Sequence, residues 1–216
     1  MYVPQHFAET DRAVLHALIG AHPLGTWVTA GDAGLVANHI PFMVDAARGE
    51  NGTLLAHVAR ANPIWRTFSS ATPSLVVFQG ADAYISPSWY PSKRAHGKVV
   101  PTWNYAVVHA YGMPRAIEDR GWLRAFLDKL VAVHETPLPA PWKIADAPAD
   151  FVDSMLAMIV GIEIPIDRLV GKWKVSQNRP EPDKAGVIEA LTAQGDQESV
   201  AMADLVRQRV AAKGKG

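Results

Sequence analysis

Cysteine is absent from the 216 residues. Disulfides, thiolate nucleophiles and cysteine-ligated zinc are excluded with it. No apolar run approaches the roughly 20 residues that a bilayer-spanning helix requires. The opening Met1-Tyr-Val-Pro-Gln-His-Phe7 has no basic stretch followed by apolar residues, so no secretory signal is expected and a cytoplasmic location is the default. Net charge is missing too: 21 Lys and Arg meet 21 Asp and Glu. A neutral chain lacks the broad field that draws proteins to DNA. There is no Gly-x-Ser-x-Gly elbow, no Walker-type loop, no Gly-x-Gly-x-x-Gly and no His-Glu-x-x-His helix. Those absences remove the common serine-hydrolase, nucleotide-binding and zinc-protease devices.

What remains is a chain with 49% hydrophobic and 19% charged residues, the balance of a folded protein with a sizeable core. A first helix is predicted from Asp11 to His22, with Val14, Leu15, Leu18 and Ile19 on one face and Pro23 as its stop. Strands follow at residues 26–29, 35–44 and 53–58, and Pro63 opens a short helix carrying Ile64, Trp65 and Phe68. Residues 74–79 and 83–86 read as two strands, with Gly80 and Asp82 near a turn. Residues 86–100 read as an irregular exposed loop, and strand character resumes at 107–116. The clearest helix is Asp119 to His134, with an apolar stripe of Trp122, Leu123, Phe126, Leu127, Leu130 and Val131. A proline-rich connection leads to a helix at 151–158 and a last buried strand at 159–164. Two C-terminal helices, at 183–193 and 196–210, take Asp183 and Asp196 as caps. The tail 213–216 is expected to be disordered. Many short strands without regular strand–helix alternation exclude a doubly wound parallel sheet. The expected fold class is mainly β with peripheral helices (α+β), an antiparallel barrel.

Four constellations carry chemistry. Tyr84 to Tyr90 and Lys98 to Tyr105 place Trp89, Tyr90, Trp103 and Tyr105 among Ser86, Ser88, Thr102 and Asn104. Aromatic faces beside small polar groups suit a flat ligand with a hydrogen-bonding edge, and they equally suit an ordinary core. His57, Arg60 and Asn62 close a strand and open a helix, a plausible phosphate turn or a capped solvent-facing one. Asn38 and His39 sit in an apolar strand, where alternation points them to opposite faces. Lys172-Trp-Lys174 in strand geometry puts both ammonium groups on one face, suited to an anion or to solvent. Spacing alone does not make His39, His57 and His109 a metal or haem site.

Five stretches now occur in a fixed order: Met-Tyr-Val-Pro-x-His-Phe at the start, Asn38-His-Ile-Pro41, His57-Val-Ala-Arg-Ala-Asn-Pro63, Val99-Val-Pro-Thr-Trp-Asn-Tyr105 and Lys172-Trp-Lys-Val-Ser-Gln-Asn-Arg179. Together they resemble the PaiB-type FMN-binding negative transcriptional regulators over nearly the whole chain. The resemblance implies an antiparallel split β-barrel of the FMN-binding type and a homodimer with FMN at the subunit interface. It implies a split-barrel domain over 1–180, followed by a helical extension and tail over 181–216. The phosphate end of FMN is expected at His57, Arg60 and Asn62, near Asn38 and His39. The ring edge is expected at Thr102, Trp103 and Asn104, with Lys172, Lys174, Ser176 and Gln177 behind them. Direct DNA binding is not expected, because residues 196–210 mix Glu198 and Asp204 with Arg207 and Arg209. A flavin-dependent oxidoreductase and a haem-binding or haem-degrading barrel remain open alternatives.

Overall fold

A computed structural model of the chain describes residues 1–31, 34–69 and 71–213. Its strands are β1 (Ala8–Glu9), β2 (Leu24–Gly31), β3 (Gly34–Pro41), β4 (Met43–Asp45), β5 (Thr53–Ala59), β6 (Ser74–Ile85), β7 (Thr102–Gly112), β8 (Arg115–Ile117), β9 (Ile159–Pro165) and β10 (Arg168–Lys174). The helices are α1 (Arg12–Ala21), α2 (Ile64–Thr67), α3 (Pro91–His96), α4 (Arg120–Glu135), α5 (Ala149–Ala157), α6 (Glu181–Gln194) and α7 (Gln197–Lys213), with short 3-10 turns between some of them. The chain divides into two compact units. The first comprises Met1–Leu18, Gln79–Val108 and Val170–Gly216, the second Ile19–Phe78 and His109–Leu169.

In the first unit the strand order is β1-β10-β7-β6. β1 pairs antiparallel with β10, Ala8 opposite Lys172 and Glu9 opposite Gly171. The ion pair of Arg209 with Glu9 ties α7 to the first strand. Leu15, Ile85, Trp173, Val187, Leu191, Met202 and Val206 supply the buried apolar residues. In the second unit β2 pairs antiparallel with β3 over its whole length and with the start of β6. A separate antiparallel sheet runs β4-β5-β9-β8. Trp27, wholly buried, meets Phe42 edge-on at 6.4 Å, and Phe42 meets Phe78 edge-on at 5.9 Å. Leu123 and Phe126 of α4 are buried as its stripe requires, and Leu123 clusters with Ile144, Val152 and Leu156. Each such side chain contributes about 1.5–3 kcal/mol on burial.

Every strand pairing described is antiparallel, as the expected class requires. The helix at 119–134 forms as α4, and the Asp119 carboxylate accepts from the Trp122 N–H at 2.7 Å. Asp196 likewise accepts from the Ser199 N–H at 2.9 Å ahead of α7. Four expectations are corrected. The two strands at 74–79 and 83–86 are one twelve-residue strand, β6. Gly80 makes no turn there: a Cβ on it would meet Leu18 Cδ1 at 3.0 Å, so it is a place of close packing. Residues 86–100 contain a 3-10 turn and helix α3, ended by Gly97 at φ 67°. The strand at 159–164 is followed by a further one, β10. Asp183 does not cap α6, which begins at Glu181; it is buried and accepts from the Ser92 N–H at 3.1 Å. In the tail, Lys213 ends α7, and residues 214–216 lie outside the described residues. Among the described residues no helix is long and apolar enough to cross a membrane.

Candidate functional site

The turn after β5 belongs to the second unit. Pro63 fixes the backbone for the first turn of α2, and Oδ1 of the Asn62 side-chain amide accepts from the Ile64 N–H at 3.1 Å. The same amide donates to Asn38 Oδ1 at 2.9 Å, which joins the turn to β3. His39 points to the other face of β3 and is exposed, as strand alternation requires. Arg60 does not stand free. Its Nε donates to the Ala157 carbonyl at 2.8 Å, Nη2 donates to the Ile159 carbonyl at 3.1 Å, and Nη1 pairs with Glu118 at 2.5 Å. Two of its five N–H groups therefore tie the end of α5 and the start of β9 to the turn, and a third holds Glu118. His57 is separated again: its ring meets Phe126 of α4 at 5.9 Å, and burial lowers its pKa below the usual imidazole value.

A groove of about 760 Å³ opens beside α2. Its polar lining is Thr29, Asn62, Arg66, Thr67, Ser69 and Thr72, with Val36 and Phe68 among its apolar walls. Of the sequence candidates only Asn62 lines it. Arg66, which the sequence reading passed over, lies four residues after Asn62, where a helical turn brings a side chain back to the same side. Its guanidinium stacks on the Trp65 ring at 4.1 Å and forms no ion pair with another described residue. The Trp65 indole N–H in turn donates to the Arg60 carbonyl at 3.0 Å. A held, unpaired guanidinium beside four hydroxyls and an amide is a donor set for a phosphate and a polyol chain.

The second group of candidates lies in the first unit, where β7 and β10 carry it. Asn104 is buried and exchanges hydrogen bonds with Ser176, at 2.9 Å from its Nδ2 and 3.3 Å back to its Oδ1. Ser176 holds φ 62°, a left-handed conformation that non-glycine residues adopt at a cost. Gln177 accepts from the Val175 N–H at 2.7 Å and donates to the Trp173 carbonyl, closing the end of β10 on itself. Those three amide and hydroxyl groups serve the turn. Trp103 and Lys174 are the more accessible ones, whereas Lys172 is buried and Thr102 accepts from Lys174. Trp103 is 54% exposed and packs edge-on against Tyr84 at 6.1 Å. Lys172 and Lys174 share a face, as alternation predicts: both ammonium groups lie over the Tyr105 ring, at 5.1 and 6.0 Å. Lys174 donates to Thr102 Oγ1 and to the Trp103 carbonyl. Burial, then the charges of Lys172 and Arg179, lower the Lys174 pKa. No acid pairs with these three cations among the described residues. No group of three metal-ligating side chains occurs there either.

The model of a family described as "Putative FMN-binding domain" matches residues 1–168. The chain belongs to this family. Within the PaiB-type branch, protease synthase and sporulation protein PAI 2 of Bacillus subtilis is 32% identical over 210 residues, covering 97% of this chain and 98% of that protein. The cofactor of the family, and of this chain as a member, is a flavin, FMN. Two solved structures share the fold. The FAD and heme binding protein from Mycobacterium smegmatis superposes with a TM-score of 0.54 at 19% identity, over 77% of this chain and 73% of that one. The flavocytochrome Anf3 from Azotobacter vinelandii superposes with a TM-score of 0.55 at 15% identity, over 85% and 78%. The donor set of the α2 groove fits the phosphate and ribityl ends of FMN. The apolar surroundings of His57 and the engaged guanidinium of Arg60 suit a phosphate less well.

Proposed function

We propose that this chain is a homodimeric flavoprotein of the split-barrel type that holds FMN in the groove beside α2. The observation that carries this reading is the unpaired, ring-stacked Arg66 beside Asn62, Thr67, Ser69 and Thr72. Arg66 is the proposed phosphate partner. Asn62 is the group that fixes the turn through Asn38, and the hydroxyls meet the ribityl chain. Arg60 holds the turn in place from behind. Thr102, Trp103, Lys172 and Lys174 are proposed as a second set of contacts to FMN in the dimer. An aromatic face and paired ammonium groups suit a flat ring with an electron-rich edge. When bound, FMN supplies electron transfer, and the protein supplies orientation and hydrogen bonds.

The dimer is supported by β3, an edge strand with most of its residues exposed, among them Leu35 at 78% and Val36 at 42%. An uncovered apolar edge is a pairing surface for a second copy. Regulation of transcription, if this protein shares it with its family, is proposed to be indirect. The α7 arginines are engaged at home, Arg207 with Asp204 and Arg209 with Glu9. The test is the visible spectrum of the purified protein before and after FMN is added, with light scattering on the same sample. A flavin spectrum on a dimer, lost in Arg66→Ala, is the expected result. A colourless protein that ignores FMN overturns the reading.

A further inference from the structure

Within the second unit, a cavity of about 310 Å³ lies among α4, α5 and the segment joining them. It shares no lining residue with the groove beside α2. Leu127 and Val131 of α4, Phe151 and Met155 of α5, and Trp142 of the connection form much of its wall. Its lining includes the imidazole of His57 on β5, and the Trp142 indole adds one N–H donor. Strand alternation explains the placement: Ala56 and Val58 are buried on the opposite face of β5, and His57 turns to the other. Among the described residues no hydrogen bond is made by its ring, which packs against Phe126 at 5.9 Å. At the mouth, Trp142, Phe151, Met155 and Met158 are exposed at 45, 54, 46 and 58%.

Water is a poor occupant for such a space. A buried water needs about three polar partners, and the lining side chains offer one imidazole and one indole N–H. The volume falls at the lower end of the ~300–1,000 Å³ typical of small-molecule pockets, which are apolar with a few orienting polar groups. Two methionines give the wall adaptability. An imidazole kept neutral by its surroundings both donates and accepts, so it can orient one hydroxyl. We propose that this cavity binds a small aromatic molecule carrying one hydroxyl group, with the ring between α4 and α5 and the hydroxyl on His57. The site is independent of the flavin groove, and its ligand is a phenol-like compound rather than a nucleotide.

The probe is 1-naphthol, titrated calorimetrically into the full chain, with naphthalene as the analogue lacking the hydroxyl and FMN titrated into the same preparation. Saturable one-to-one uptake of 1-naphthol is expected, with naphthalene about tenfold weaker. Val131→Trp fills the cavity and is expected to abolish 1-naphthol binding while FMN binds as before. Leu127→Phe serves the same purpose should the larger ring prevent folding. His57→Phe is expected to reduce 1-naphthol to the naphthalene level. No saturable uptake, or uptake that survives the filled cavity, overturns the proposal, whatever FMN does. Equal affinity in His57→Phe overturns the role given to His57. A Soret shift on adding haem that Val131→Trp abolishes also overturns it, and assigns the cavity to the macrocycle.

Discussion

Two regions of the molecule concentrate positive charge, and they treat it in opposite ways. After β5, Arg60 is surrounded by acceptors: two main-chain carbonyls and Glu118 take its N–H groups. At the end of β10, Lys172, Lys174 and Arg179 have aromatic faces and one another but no acid among the described residues. The first arrangement is how a fold uses a cation as a brace. The second leaves charge available and lowers the Lys174 pKa, which is how a protein prepares for an anion it does not itself provide. Arg66 belongs with the second kind although it sits six residues from Arg60. Its guanidinium lies over the Trp65 ring and has no acid partner among the described residues.

The contrast is broken most severely at Arg60. Arg60→Ala is expected to lower stability by about 2–3 kcal/mol, read as a fall in the urea midpoint, because it strands two carbonyls at the end of α5 and the start of β9. A midpoint within error of wild type would remove the brace. Arg66→Ala should do the reverse: stability within about 0.5 kcal/mol, but FMN affinity weaker by about 10- to 100-fold in a fluorescence titration. Should the two variants exchange effects, the assignment of roles at this turn is inverted. Lys174→Met relieves repulsion in the protein alone and is expected to weaken FMN by about fivefold, the scale of a partly exposed charge pair. Unchanged affinity would separate the end of β10 from the cofactor.

The gentlest test is acid. Burial lowers the pKa of both His57 and His109 below the imidazole value of 6.5. Between their folded values and 6.5 the unfolded chain binds more protons, so stability is lost as pH falls through that window. Melting temperature should drop between pH 7.5 and 5.5, and His57→Phe should flatten the curve. An unflattened profile would place the effect at His109 or elsewhere.

Much of the fold was legible. The stripe of α4 announced itself by its period, and Pro63 announced α2. β6 did not, because Gly80 and Asp82 look like turn residues when their packing partners, such as Leu18, are out of view. Helix α3 has Pro91 at its start and Gly97 at its end, yet buries none of its residues. Without an apolar period, those two signals read as a loop. In the candidate site, the shared face of Lys172 and Lys174 followed from strand geometry alone. The engagement of Arg60 did not, since its partners lie 58 to 99 residues away in the chain. Arg66 was missed for the opposite reason: its signal was local, one helical turn past Asn62, but the turn was too short to suggest a periodic face.

The pairing of β1 with β10 carries a consequence for how the protein is made. Ala8 and Glu9 find their strand partners at Lys172 and Gly171, and Glu9 finds its cation at Arg209. On a ribosome adding ~5–20 residues per second, Glu9 is exposed for roughly 10–30 s before Gly171 has been synthesised. During that interval the end of β10, with its lysines, does not exist, and the first segment has no edge to join. A nascent chain stalled short of residue 168 would therefore carry residues 8 and 9 without their strand partners.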